Sequence, residues 1–190
     1  MGGKRDLKAT IIDSTATELL LIVINGRDEH IYVGNKGARR HTSEILTELD
    51  KLFTEAGISA KDLDYVGVVV GAGSFTGIRI GVATANAMAY ASGAKIVELT
   101  EMEALVIDEE KALALIDCKH NNFYAMVKDG DTKEYLAISG EEADKYDLKK
   151  VYYTMPEPQK IIKTFYQKVD NGEFSAVAKP FYLKKSSAEA

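Results

Sequence analysis

The 190-residue chain has one cysteine, three histidines and no excess of positive charge, and each scarcity removes a class of function. Cys118 alone cannot build an internal disulfide framework. His30, His41 and His120 have no metal-ligand spacing and no cysteine pair to join them, so no metal or cofactor is expected. Lys and Arg number 24 against 29 Asp and Glu, a formal net charge of -5. That balance argues against a non-specific grip on nucleic acid or an anionic membrane, and any RNA role would need a partner. No apolar run is long enough to span a membrane or flanked like a signal peptide, which makes the cytoplasm the expected location.

What remains is an ordinary core-forming composition, 46% hydrophobic and 28% charged. A chain of this size can bury roughly 70% of the surface its unfolded form exposes. The stretch from Val66 to Val97 organises the rest. Val66, Val68, Val69 and Val70 are β-branched and free of charge, which suits a strand buried on both faces. Gly71-Ala72-Gly73-Ser74-Phe75-Thr76-Gly77 follows as a glycine-rich turn, with Ser74 or Thr76 placed to cap the next helix. The turn matches no phosphate or nucleophile motif. Gly77-Ile78-Arg79 is not the Gly-Lys-Ser/Thr of a Walker A loop. Gly71, Gly73 and Gly77 leave one residue too many for a dinucleotide fingerprint, and Ala72 breaks a nucleophile elbow. A structural turn and a phosphate cradle use the same glycine geometry, and both readings stand at this point. The helix predicted over Ile78–Ser92 carries Gly81, Ala83, Ala85, Ala87, Ala89 and Ala91, with Arg79 its one cation. Such a helix must be covered on most sides, by its own sheet and then by more of this chain or by another protein.

In chain order, Met1–Asp6 is a polar tail outside the fold. Lys8–Asp13, Leu19–Ile24 and Glu29–Val33 read as strands, with Asn25-Gly26 as the hairpin turn between the last two. After Gly34–Gly37 and Arg39-Arg40 comes an amphipathic helix from about His41 to Ala56, with Thr42 or Ser43 as its cap and Gly57 past its end. Ile45, Leu46, Leu49, Leu52, Phe53 and Ala56 share one face of it. The pattern then repeats at an offset of 104: Ile12-Asp13 has a counterpart in Ile116-Asp117, and Asn25-Gly26 in Asp129-Gly130. Strands at Leu113–Asp117, Phe123–Lys128 and Tyr135–Ile138 repeat the first three, which points to internal duplication. The second copy then shortens to Glu141–Tyr146, a small strand at Val151–Thr154, a proline break at Pro156 and Pro158, a helix over Gln159–Asp170 and a tail. The predicted subdomains are 7–108 and 109–190.

Candidate chemistry is thin. Asp13 and Asp117 would face a cleft between the copies, as a carboxylate pair or as turn residues. Cys118 and His120 would share a face if their strand continued, as nucleophile and base, with a buried structural cysteine as the alternative. His41 reads as shaping the start of its helix or a partner surface, with a catalytic base as the alternative. Tyr152-Tyr153 and Phe181-Tyr182 read as core aromatics rather than stacking platforms.

Two copies of a three-strand meander followed by helices and strands resemble the α/β, actin-like/Hsp70/sugar kinase (ASKHA) fold, here as two RNase H-like subdomains with the second reduced. Its nucleotide site looks incomplete, since Asp13-Ser14-Thr15 lacks a glycine and Asp117-Cys118-Lys119 carries a cysteine and a lysine. The segment GAGSFTGIRIG, residues 71 to 81, resembles the signature of the TsaB (YeaZ) family, G-x-G-S-F-T-G-x-R-I-G, at every defined position: Gly71, Gly73, Ser74, Phe75, Thr76, Gly77 and Arg79 among them. The resemblance extends to Ile12-Asp13-Ser14, Arg40-His41-Thr42, Ile116-Asp117 with Tyr124, and Pro180 with Tyr182-Leu183. Asn121-Asn122 departs from it, standing where the family usually has Gly-Glu.

The resemblance implies a non-catalytic subunit that pairs with the threonylcarbamoyl transferase TsaD in making threonylcarbamoyladenosine on tRNA. The ATPase TsaE joins that pair, and tRNA is met only through the complex. Pairing would run through the first two helices, carried over here to His41, Ile45, Leu49, Leu52, Ile78, Gly81, Ala85, Met88 and Ser92, with homodimers through the same surface when TsaD is absent. Replacing Gly81 or Ala85 by a large side chain is then expected to abolish pairing in a folded monomer. An ATP-dependent kinase or ATPase of the same fold and a peptidase are the alternatives, and neither finds a complete site.

Overall fold

The computed structural model describes residues 6–34 and 41–183, the side chains of 41–43 excepted. Two sheets share one strand order. In the first, β1 (Lys8–Asp13), β2 (Leu20–Asn25), β3 (Asp28–Val33), β4 (Tyr65–Val69) and β5 (Lys95–Leu99) lie in the order β3-β2-β1-β4-β5. The meander β1-β2-β3 is antiparallel, and β4 and β5 add to it in parallel. In the second, β6 (Lys111–Asp117), β7 (Asn122–Asp129), β8 (Thr132–Ser139) and β9 (Lys150–Tyr152) repeat the order as β8-β7-β6-β9 without a fifth strand. The duplication read from the 104-residue offset is therefore present in the topology. Gly26 and Gly130, at φ +62° and +58°, close the matching hairpins.

α1 (His41–Ala56) and α2 (Phe75–Ser92) cover one face of the first sheet. Ile45, Leu49, Leu52 and Phe53 from α1 and Ile78, Val82, Ala85 and Ala89 from α2 meet Ile12, Leu21, Val23, Val66 and Val68. The expected cap at Thr42 or Ser43, and Arg39-Arg40, lie outside the described residues. The counterpart of α1 in the second sheet is only α4 (Gly140–Asp144), held by the capping box of Ser139 and Glu142.

The opposite face of the first sheet is covered from the far end of the chain. α5 (Pro158–Asp170), which follows the second sheet, returns and inserts Ile161, Ile162, Phe165 and Val169 against Ile11, Leu20, Ile22, Val69 and Val97. Gly67 makes this possible: a Cβ there would lie 3.0 Å from Ile11 and 3.1 Å from the Phe165 ring. The expected boundary at 108/109 separates the two sheets, but by packing α5 belongs with the first. α3 (Glu101–Leu105) and residues 178–183 fill the junction, where Met102, Leu105 and Phe181 meet Ala114, Met126 and Tyr135 of the second sheet.

Candidate functional site

β4 delivers the glycine-rich loop to the end of β1, and the loop is packed against the molecule's own backbone. Added Cβ atoms would lie 2.3 Å from Phe181 O at Gly71, 2.6 Å from Thr15 O at Gly73, 1.9 Å from Ser14 O at Gly77 and 2.6 Å from Ser14 Oγ at Gly81. Ser74 N–H donates to Thr15 O at 2.8 Å and Ser14 Oγ donates to Gly77 O at 2.8 Å. Ser74 caps α2 by accepting from Gly77 N–H, and Gly93, left-handed at φ +78°, closes the helix. Beside the loop there is a cavity of about 70 Å³, lined by Ala72, Gly73, Phe75, Tyr124, Phe181 and Tyr182. Small-molecule sites occupy roughly 300–1,000 Å³. Of the two readings of the turn, the geometry is that of the structural one: the glycines admit the Ser14-Thr15 turn and the Phe181 segment of the same chain.

The residues carried over as a partner surface face inward. Ile45, Leu49, Leu52, Ile78 and Ala85 are core residues, and Gly81 is closed off by Ser14. Met88 is half-buried against the same core, and Ser92 Oγ donates to Met88 O. A partner docking on the helix pair would not touch these apolar positions, because the apolar stripe that sequence periodicity picks out is the one the sheet consumes. The His41 side chain lies outside the described residues. The outward face is instead Leu46 on α1, 64% exposed, and Phe75, Arg79, Ala83, Ala87, Tyr90 and Ala91 on α2, with Tyr90 92% exposed. Arg79 sits 3.8 Å over the Phe75 ring and donates from Nε to Tyr182 Oη, while Tyr182 stacks on Phe75. The signature residues Phe75 and Arg79 thus join α2 to the end of the described chain.

The carboxylate pair expected between the two copies is not matched in environment. Asp13 is fully buried and Asp117 exposed. Asp13 Oδ1 accepts from Thr15 N–H and Oγ1 at 2.8 and 2.7 Å, and Glu101, the first residue of α3, brings a second carboxyl within hydrogen-bonding reach of it. Burial, then the Asp13 charge, then that contact hold Glu101 well above the usual carboxylate range. Tyr153 beside them is pushed up by burial and by Glu101, Asp13 and Glu18. Glu101 was missed in the sequence because nothing in a strand-end Thr-Glu-Met-Glu marks its first glutamate. The capping box Thr100-x-x-Glu103 was readable.

Glu103 is the counter-case. Burial raises its carboxyl, but Lys168 and Lys133 outweigh this and hold it below the usual range, their Nζ atoms 2.9 and 2.8 Å from Oε1. Cys118 is half-buried rather than core, and β6 ends before it. Lys119, His120 and Asn121 then all take left-handed conformations, so the shared face expected of Cys118 and His120 is not formed. Asn121, at φ +56°, takes the left-handed conformation that asparagine tolerates. Among the described residues, no group of three His, Cys, Asp or Glu side chains could hold a metal ion, and no helix is long and apolar enough to cross a membrane.

A family model described as TsaD, tRNA N6-adenosine threonylcarbamoyltransferase, matches residues 32–187. The tRNA threonylcarbamoyladenosine biosynthesis protein TsaB of Haemophilus influenzae is 26% identical over 116 residues, covering 58% of this chain and 49% of that protein. The chain therefore spans about half the length of this relative. Two solved structures superpose on nearly the whole chain: a Pseudomonas aeruginosa protein described as similar to peptidase YEAZ, with TM-score 0.78, 15% identity and coverage of 94% and 100%, and YeaZ from Pseudomonas aeruginosa, with TM-score 0.72, 17% identity and coverage of 93% and 100%. These likenesses show the fold, which is of the α/β class expected.

Proposed function

The chain belongs to the TsaB (YeaZ) side of the family that carries the TsaD description, and on that premise we propose that it serves tRNA threonylcarbamoyladenosine biosynthesis as a non-catalytic subunit that docks on TsaD. The observation that carries the docking is the bare outer face of α2, where Ala83, Ala87 and Ala91 permit close helix approach around the nearly free Tyr90. Small residues flanking one exposed aromatic suit a helix-to-helix contact with a buried anchor. The glycine loop supports the non-catalytic role, since contacts with Ser14, Thr15 and Phe181 of the same chain account for its glycines. Docking would hold the partner's cleft in a productive arrangement, so that interface energy becomes rate at a site on the other chain. TsaE would join the pair, and without TsaD the same face would pair with a second copy.

The test is size exclusion with light scattering of this protein mixed with TsaD from the same organism. A one-to-one complex is expected. Ala83→Glu with Ala87→Glu should weaken it by about 100-fold or more while the monomer melts as before. Undiminished pairing by that variant would move the interface elsewhere. Gly81 and Ala85 do not serve as probes, because bulk there would break the monomer's own core.

A further inference from the structure

Three oxygen atoms in the junction between the sheets are buried without a hydrogen-bond partner: Asp13 Oδ2, Glu101 Oε1 and Tyr153 Oη. Asp13 and Glu101 are 0% and 3% exposed. Leaving two ionised carboxylates side by side in such a place costs both repulsion and desolvation. One proton removes both costs, because a protonated Glu101 donates to Asp13 Oδ2 and satisfies two orphan acceptors at once. Asp13 Oδ1 already accepts from Thr15 N–H and Oγ1, so the proton resides on Glu101.

The position gives this bridge leverage. The chain passes between the sheets twice, through β5-α3-β6 and through β9-α5. Glu101 opens α3 on the first passage, and Tyr153 begins the second. We propose that Glu101 keeps its proton in the folded protein and donates it in a hydrogen bond to Asp13 Oδ2, and that this carboxyl–carboxylate bridge is a latch holding the two sheets together that is released as the pH rises.

The groups acting on the latch from the elements around it are Asp13 at the end of β1, Glu157 at the cap of α5 and, on Tyr153, Glu18 in the β1–β2 turn. All are acids, and none offers a countercharge that would let Glu101 ionise cheaply. A carboxyl raised on folding binds its proton more tightly in the folded state. Its contribution is fully present below the unfolded value near pH 4.3 and is lost as pH climbs through the folded one.

Glu101→Gln keeps an N–H donor toward Asp13 Oδ2 and cannot ionise. The variant should match the wild type in Tm near pH 5 and exceed it by about 3 °C near pH 8. Hydrogen exchange of the two passages, residues 100–106 and 153–157, should accelerate with pH in the wild type beyond the intrinsic base-catalysed trend, and follow that trend alone in the variant. A Tm difference that does not change with pH overturns the proposal. Infrared spectra of the wild type provide the reading if the variant fails to fold: a protonated carboxylic band at neutral pH is expected, and its absence overturns the protonated Glu101. Stabilisation of the wild type by magnesium or calcium that disappears in Glu101→Gln would mean that a cation holds the carboxylates, and would also overturn it.

Discussion

At Gly77 two local rules oppose each other. Alanine is the better helix former by about 1 kcal/mol, yet a Cβ at this position would stand 1.9 Å from the Ser14 carbonyl oxygen. Backbone cannot retreat as a side chain can, so the contact wins. Gly77→Ala should cost about 3 kcal/mol or more in urea unfolding. Gly57 makes the control: its φ is +64° and nothing lies within 4 Å of an added Cβ, so Gly57→Ala should cost only about 1 kcal/mol, the strain of a left-handed alanine. Equal losses at the two sites would refute the packing account of the signature. The signature itself was visible in the sequence, but which neighbour each glycine makes room for was not, since Ser14, Thr15 and Phe181 are far from it along the chain.

Among the elements, α5 shows how pattern and placement separate. Its apolar face, Ile161, Ile162, Phe165 and Val169, is plain in the sequence, and Pro158 at its first turn suits its start. Its position directly after β9 suggests a cover for the second sheet, whereas it covers the first. Phe165 ends fully buried against Tyr65, which meets it edge-on at 6.2 Å. Phe165→Ala should therefore destabilise by about 3–5 kcal/mol, and hydrogen exchange should register the loss in β1 and β4 as well as in α5. An effect confined to the second sheet would contradict this packing. α1 and α2 give the converse lesson. The period read on α1 marked the inner stripe with one exception, Leu46, which stands 64% exposed on the face left for a partner, and α2 was marked by its small residues, of which Ala85 faces in and Ala83, Ala87 and Ala91 face out.

For the whole molecule, the nucleotide-binding alternative left open by the sequence is tested by the packing around the glycine-rich loop, which supports the non-catalytic role proposed above. The loop that would cradle phosphate is closed by Ser14, Thr15 and Phe181. Residues 174–183 stitch the two sheets together. Ser175 pairs with Ile96, Ala178 exchanges hydrogen bonds with Asn86, Phe181 N–H donates to Val70 O, and the Phe181 ring meets Tyr135 edge-on. Titration of the isolated protein with magnesium and ATP should give no saturable heat. A saturable signal at micromolar ATP would reopen the kinase-like alternative.

The sequence by itself determined the order of the strands and of the longer helices, though not α3, together with the strand-turn-helix at residues 66 to 92, the doubling at 104 residues and the family. All of these are written in local periodicity, turn chemistry or a contiguous motif. Only the tertiary structure decided that α5 crosses back to the first sheet, that the glycines face the molecule's own backbone, that Tyr90 rather than Ala85 meets solvent, and that Asp13 is matched with Glu101 rather than Asp117. Each of those depends on which distant segments share space, and burial, desolvation and close contact come into being only when the chain has closed on itself.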